Sequence, residues 1–214
     1  MSQTVDDIDV CKAVMDDLAV WGKDQTELDQ RLEKVVDKAK SCGLKFNKDK
    51  CKFRQDQIRY VGHVFSGKGL KADSEKIGVV QDMNQPQSVR RRMTFLGFIQ
   101  YLGKFMPKMA DISASFRLLT QTDVEWKWIE TEKNSFNRLK KLATEAPVLR
   151  FYDPSLPPTL SVDWSTGLGR VLMKEGQPLA YGSRALTKTQ QNYAQIEKET
   201  LAVVFVCEKF HQYV

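Results

Sequence analysis

Four cysteines are all that the chain carries, and Cys11, Cys42, Cys51 and Cys207 form neither a C-x-x-C pair nor the spaced framework of a disulfide scaffold. Reduced thiols inside a cell are therefore the simplest expectation, with the compartment left open. No apolar run approaches 20 residues and no leader-like N-terminus is present, which argues against membrane and secretion readings. No internal repeat is found. The chain does have 214 residues, enough for one or two domains with a real core, and 28% charged residues mark a soluble surface. Its formal net charge of +6 and pI near 9.1 fit a polyanionic partner and also fit many proteins that bind none.

The last third is the most informative part. Residues 159–165 read T-L-S-V-D-W-S, with Leu160, Val162 and Trp164 alternating against Ser161, Asp163 and Ser165 as in a half-buried strand. Asp is a poor strand former, and a strand Asp ordinarily sits on an exposed polar face. The surroundings give this one more weight: further strands are predicted at Arg170 to Met173 and Leu179 to Ser183, joined by Gly-containing turns. A meander followed by a helix would hold a central carboxylate rigidly. The helix is predicted to start at Thr187 or Thr189 and to run unbroken through Phe210. Tyr193, Ile196, Thr200, Val203 and Cys207 form one stripe, and Glu199 shares a face with Val203, Val206 and Phe210, beside the buried side. Glu197 is nearly as well placed beside Leu201 and Val204, so periodicity does not choose between the two acids.

The run V-D-W-S-T-G-L-G-R-V-L-M-K-E-G-Q-P-L-A-Y-G-S-R-A-L-T, followed by Q-N-Y-A-Q-I-E-K-E-T-L-A-V-V, resembles the opening of the ribonuclease H domain of gypsy-type LTR retrotransposon Pol polyproteins. The resemblance implies that Asp163 and Glu199 are metal-binding carboxylates of that domain. Trp164 and Arg170 stand where the family usually has small residues. Upstream, V-M-D-D-L-A-V at residues 14–20 resembles the reverse-transcriptase palm hairpin, with Val14 where an aromatic is common. A tight hairpin between apolar strands can present a carboxylate to a divalent cation, and the resemblance makes Asp16 and Asp17 that pair.

Between these ends lies an ordered series. Asp24 with Glu27 resembles a capping box, and Leu28, Leu32, Val35, Val36 and Ala39 supply a helical stripe ending at Gly43. The strand I-R-Y-V-G-H-V-F and the turn S-G-K-G follow. In the resembling family this region is the primer-gripping hairpin, which implies nucleic-acid backbone contacts at Tyr60, Gly62 and His63. Beyond the breaker N-Q-P-Q, Ser88 caps a helix whose Val89, Met93, Leu96, Ile99 and Leu102 are expected to face one way, with Arg90, Arg91 and Arg92 at its start. Three arginines oppose the helix dipole, and duplex phosphates would compensate them; a solvated basic face is the commoner use of such a cluster. Trp126 and Trp128 precede a helix around residues 132–143 and are expected to pack in a core. The four prolines in A-P-V-L-R-F-Y-D-P-S-L-P-P read as an extended linker.

The expected fold is α/β (α+β). A palm remnant spans 1–70, a thumb 71–120, a connection 121–157 and the leading part of a ribonuclease H-like domain 158–214. The resemblance implies RNA-directed DNA polymerase and RNA–DNA hybrid ribonuclease activities with Mg²⁺, or Mn²⁺, in both sites, and a hybrid or DNA duplex as partner. Two-metal phosphoryl transfer needs several carboxylates around cations roughly 3.5 to 4 Å apart, and the family draws part of each set from segments outside these residues. The expectation is an inactive isolated chain. The alternatives are a non-catalytic nucleic-acid-binding module and a non-functional remnant.

Overall fold

The computed structural model describes residues 11–14, 16–118, 128–155, 157–164 and 167–213, with the backbone alone at 118, 163, 164 and 167. It divides into two compact units, Met1–Gly67 and Lys68–Val214.

In the first unit Asp24 starts a long helix by accepting a hydrogen bond from the Glu27 N–H at 2.8 Å, while the Glu27 carboxylate reaches back to the Lys23 N–H at 2.6 Å. The bonds satisfy donors that a helix start leaves open, and such a cap contributes about 1 kcal/mol. The helix, α1 (Gln25–Ser41), stops where expected, just before Gly43 at φ 69°. Val35 and Ala39 are its buried residues. Against Val35 packs a hairpin of β1 (Cys11–Val14) and β2 (Asp17–Val20), through Cys11, Leu18 and Val20. A second antiparallel hairpin pairs β3 (Gln57–Tyr60) with β4 (His63–Ser66). The single strand expected over residues 58–65 is thus two, because the chain reverses at Val61 and Gly62, both at positive φ.

The second unit opens with β5 (Gly69–Ala72), then α2 (Ser74–Asp82) and α3 (Val89–Leu102), capped by Asp73 and Ser88. After a 3₁₀ turn at Gly103–Phe105 come α4 (Met109–Ile112), α5 (Ala114–Leu118) and α6 (Glu130–Thr144). Their shared core is aromatic. Phe95 lies 4.7 Å from Phe136 between ring centroids, and Trp128 stands edge-on to Phe116 at 5.4 Å. Each such ring, fully buried, is worth about 1.5 to 3 kcal/mol. Trp128 is therefore a packing residue, as expected, while Trp126 lies outside the described residues.

The first half of the buried face of α3 is shifted by one position from the expected stripe. Phe95, Ile99 and Leu102 are buried together with Arg92, whereas Val89 and Met93 are 43% and 60% exposed. Apolar residues recur at helical spacing on both faces here, so periodicity alone could choose either. The proline-rich stretch after α6 is extended, but at its start it is docked rather than a free linker. Leu149 is buried and exchanges two backbone hydrogen bonds with Leu70, at 2.7 and 2.8 Å. At Gly69 a Cβ would lie 2.2 Å from the Leu149 carbonyl oxygen, so glycine is what permits this approach.

The chain ends in an antiparallel meander, β6 (Thr159–Trp164), β7 (Gly167–Lys174) and β8 (Gln177–Ala185), in that order across the sheet. Leu172 and Leu179 pack against Val206 and Phe210 of the helix that follows. That helix is broken. A short α7 (Lys188–Gln191) has a full capping box between Thr187 and Gln190, and α8 (Gln195–Phe210) starts separately after Ala194. Of the face expected to be buried, Val206 and Phe210 are buried and Val203 is not, and the stripe through Ile196 and Val203 faces outward. Ile196 is 68% exposed and Val203 57%, while Ala202, Val206 and Phe210 are buried.

Candidate carboxylate and nucleic-acid sites

The first site is built on the β1–β2 hairpin. Val14 pairs with Asp17 across it, Asp16 lies in the turn, and both aspartates are exposed. Behind them Cys11, Ala13 and Ala19 are buried, so apolar flanks anchor the turn that lifts the carboxylates into solvent. The β3–β4 hairpin is fastened to the same strand. The Tyr60 hydroxyl donates to the Lys12 carbonyl at 2.7 Å, and the Tyr60 ring stands edge-on to Phe65 at 6.0 Å. Tyr60 pairs with His63, leaving Val61 (φ 49°) and Gly62 (φ 72°) as a two-residue loop. Such a loop ordinarily takes Asn-Gly, and a β-branched residue at positive φ is strained by about 1 to 3 kcal/mol. Val61 is nonetheless 50% exposed, so an apolar tip is held out to solvent against two preferences. Of the sequence-predicted residues, the structure thus joins Asp16 and Asp17 to Tyr60, Gly62 and His63 through the contact at Lys12, a link that no spacing in the sequence reveals.

The arginine cluster is split. Arg90 and Arg91 are exposed, but Arg92 is 0% exposed on the core side of α3. Burial lowers its pKa and the charge of Glu132, itself buried on α6, raises it. Arg92 is thus corrected from the surface role expected of it, since its position three residues before Phe95 puts it in line with the buried stripe. Glu132 was not foreseen as its counterion; the stripe Arg92, Phe95, Ile99, Leu102 is the signal that points to it.

The second carboxylate pair lies in the sheet-and-helix module. Register places Asp163 opposite Gly169 on β7. The two acids left open by periodicity have different surroundings. Glu197 accepts from the Ala194 N–H at 2.7 Å and so closes the start of α8, whereas the exposed Glu199 accepts from the Gln195 side chain at 2.9 Å. At helical spacing Glu199 falls in line with Ala202, Val206 and Phe210, as expected, but it is exposed because it lies one turn before that stripe becomes buried.

Arg170 is the unexpected group. It is 4% exposed, its guanidinium lies 4.6 Å from the Phe205 ring centroid, and none of its side-chain nitrogens has a hydrogen-bond partner among the described residues. Arg184 sits over the same ring at 5.5 Å. Desolvation and, after it, repulsion from Arg184 push the Arg170 pKa down to about 10, which leaves it charged at neutral pH. Lys174, equally buried on the same strand, is better served, donating to the Asp153 carbonyl with the Asp153 carboxylate at 4.0 Å.

Asp16, Asp17 and Glu199 offer the hard oxygen donors that Mg²⁺ prefers. Among the described residues, however, no three acidic, His or Cys side chains gather into a group able to hold a metal ion.

Residues 3–65 match the family described as reverse transcriptase (RNA-dependent DNA polymerase), and residues 128–214 match the RNase H-like domain found in reverse transcriptase. The Tf2-3 transposon polyprotein of Schizosaccharomyces pombe is 32% identical over 205 residues. The chain belongs to the reverse transcriptase and ribonuclease H family of gypsy-type retrotransposon polyproteins. The Tf2-3 match covers 93% of this chain but 15% of the polyprotein, and the Tf2-7 polyprotein gives 31% identity over the same span. Among solved structures, the foamy viral protease-reverse transcriptase in complex with RNA/DNA hybrid superposes with a TM-score of 0.87 at 19% identity, covering 97% of this chain and 29% of that one. Another foamy viral protease-reverse transcriptase structure, titled dRH and in complex with double-stranded DNA, gives 0.90 at 18% identity over 99% and 38%. At these identities the likeness establishes that this retrotransposon segment shares their fold. Its mixed helix-and-sheet architecture is the α+β class expected from sequence. Among the described residues no helix is long and apolar enough to cross a membrane.

Proposed function

We propose that the chain is the palm end (1–70), thumb (71–120), connection (121–157) and leading ribonuclease H-like part (158–214) of a retrotransposon reverse transcriptase, and that by itself it grips an RNA–DNA hybrid or DNA duplex without chemistry. The observation that carries this is the Asp16–Asp17 hairpin, exposed at its tip and tied through Lys12 to the Tyr60 hairpin. Asp16 and Asp17 contribute to a polymerase metal site, and Asp163 and Glu199 to a nuclease one, each completed by carboxylates from other segments of a longer polyprotein. When complete, such sites supply Mg²⁺ or Mn²⁺ for phosphoryl transfer. Tyr60, Gly62 and His63 contact the nucleic-acid backbone; Arg90 and Arg91, in the second unit, also contact phosphates.

The test combines a labelled hybrid, Mg²⁺ or Mn²⁺ and the purified 214-residue chain. Salt-sensitive binding is expected, with no primer extension and no cleavage of the RNA strand, and Asp163→Asn or Asp17→Asn should change nothing. Cleavage abolished by Asp163→Asn or Glu199→Gln would make the isolated chain an enzyme, and absence of duplex binding would end the gripping role.

A further inference from the structure

The ten residues from Lys45 to Arg54 hold five cations, Lys45, Lys48, Lys50, Lys52 and Arg54, against the one carboxylate of Asp49, so much of the chain's formal charge of +6 is concentrated there. The four lysines are exposed, and among the described residues none has a carboxylate within ion-pair distance. Two phenylalanines flank them, Phe46 at 41% exposure and Phe53 at 59%. Exposed rings and unpaired lysines thus lie together along one short loop.

The loop is held in shape. The Asn47 side chain accepts from the Asp49 N–H at 3.0 Å, and the Asn47 carbonyl accepts from Lys50 and Cys51 at 3.1 and 3.2 Å, closing a 3₁₀ turn over Lys48–Lys50. Before it, Leu44 donates to the Ala39 carbonyl at 2.8 Å and packs beside Val35. After it, Arg54 pairs with Asp29 of α1 at 2.9 Å, and Gln55 donates to the Phe53 carbonyl at 2.9 Å. Anchoring at both ends presents the rings and ammoniums without a large ordering cost on binding.

We propose that this loop binds single-stranded nucleic acid, with bases stacking on Phe46 and Phe53 and phosphates neutralised by Lys45, Lys48, Lys50 and Lys52. The inference rests on the reading that the chain handles nucleic acid, and adds a path for an unpaired strand. Flat apolar rings reach base faces only where bases are unstacked, since a duplex hides those faces. An acidic peptide would answer the lysines but gives the rings no matching flat surface.

Fluorescence anisotropy with the whole chain, using labelled oligo(dT) of about 15 nucleotides and a duplex of about the same length, separates the possibilities. Phe46→Ala with Phe53→Ala should weaken oligo(dT) binding about 10-fold or more and leave duplex affinity within about twofold. Replacing Lys48, Lys50 and Lys52 by alanine should reduce the slope of log affinity against log salt for oligo(dT) by about 2. Phe53→Trp should keep the affinity and show Trp quenching on binding. Oligo(dT) affinity unmoved by the Phe pair, an equal fall for both probes, or displacement of oligo(dT) by poly-glutamate as readily as by unlabelled oligo(dT) would each overturn the proposal. Duplex binding with no oligo(dT) binding leaves the broader function standing and sinks this one; oligo(dT) binding alone does the reverse for duplex gripping.

Discussion

The Tyr60 hydroxyl donates to the Lys12 carbonyl at 2.7 Å, so the hairpin that carries Val61, Gly62 and His63 is anchored on the strand leading to Asp16 and Asp17. This hydrogen bond joins residues 48 apart in sequence and links the two small hairpins. Neither hairpin has much core of its own.

Tyr60→Phe keeps the ring contact with Phe65 and deletes the hydroxyl's bond to the Lys12 carbonyl. The expected loss of stability is about 1 kcal/mol by denaturant titration. Amide exchange at residues 11–14 and 57–60 should quicken together. Duplex affinity should fall with them. Exchange that quickens in one hairpin alone would mean the bond does not couple them.

Arg170 gives a prediction with a pH sign. Its folded pKa, about 10, lies below the ordinary arginine value, so between the two the unfolded chain holds the proton more tightly than the folded one. The Arg170 contribution is therefore destabilising at all pH below about 10 and is relieved as pH rises through that value. Arg170→Met, an apolar side chain of similar length, should raise the stability of the module at pH 7 by about 1 to 4 kcal/mol. The gap between variant and parent should narrow in strongly alkaline buffer. A destabilised Arg170→Met chain would show that the guanidinium has a partner in solution.

Arg92 and Glu132 should behave in the opposite way, because each is buried with the other's charge nearby. Glu132→Ala strands Arg92 in the core and should cost about 3 to 5 kcal/mol. The double change Arg92→Met with Glu132→Leu should recover most of it. Arg90→Ala with Arg91→Ala, on the exposed side, should leave stability within about 0.5 kcal/mol while lowering the salt slope of duplex binding by about 2. Thermal melts and salt titrations read the two effects separately.

Much of this was legible in the residues. The Asp24–Glu27 pair, the stop at Gly43, the Asp16–Asp17 turn and the three-strand meander all use local chemistry that sequence exposes directly. What was not legible depended on choices between equal periodicities. On α3 the stripe through Phe95 and Ile99 and the one through Val89 and Met93 have the same spacing, and only packing against Phe136 decides. The break before α8 was hidden because its cap position is Ala194, whose side chain accepts nothing, and the acid that closes the helix start is Glu197. Arg170 lies between Leu168 and Leu172 at strand spacing, on the face that they bury, so alternation pointed inward and only its charge argued for the surface.

The outward face of α8 leads to the last prediction. Ile196, Val203 and Val204 are 68%, 57% and 48% exposed, and Leu160 and Val162 on β6 are 36% and 38% exposed. Apolar surface gathered on one helix and one strand promotes association, and among the described residues β6 has a single neighbour, β7, in its sheet. The 159–213 region should therefore exchange amide hydrogen faster than α3 and α6, whose aromatic core is closed. Ile196→Ser with Val203→Ser removes exposed apolar area without touching Ala202, Val206 or Phe210. Stability should stay within about 0.5 kcal/mol, and the concentration at which light scattering first detects aggregates should rise. If the serines instead unfold the module, these side chains are buried in solution, and α8 packs on its other face.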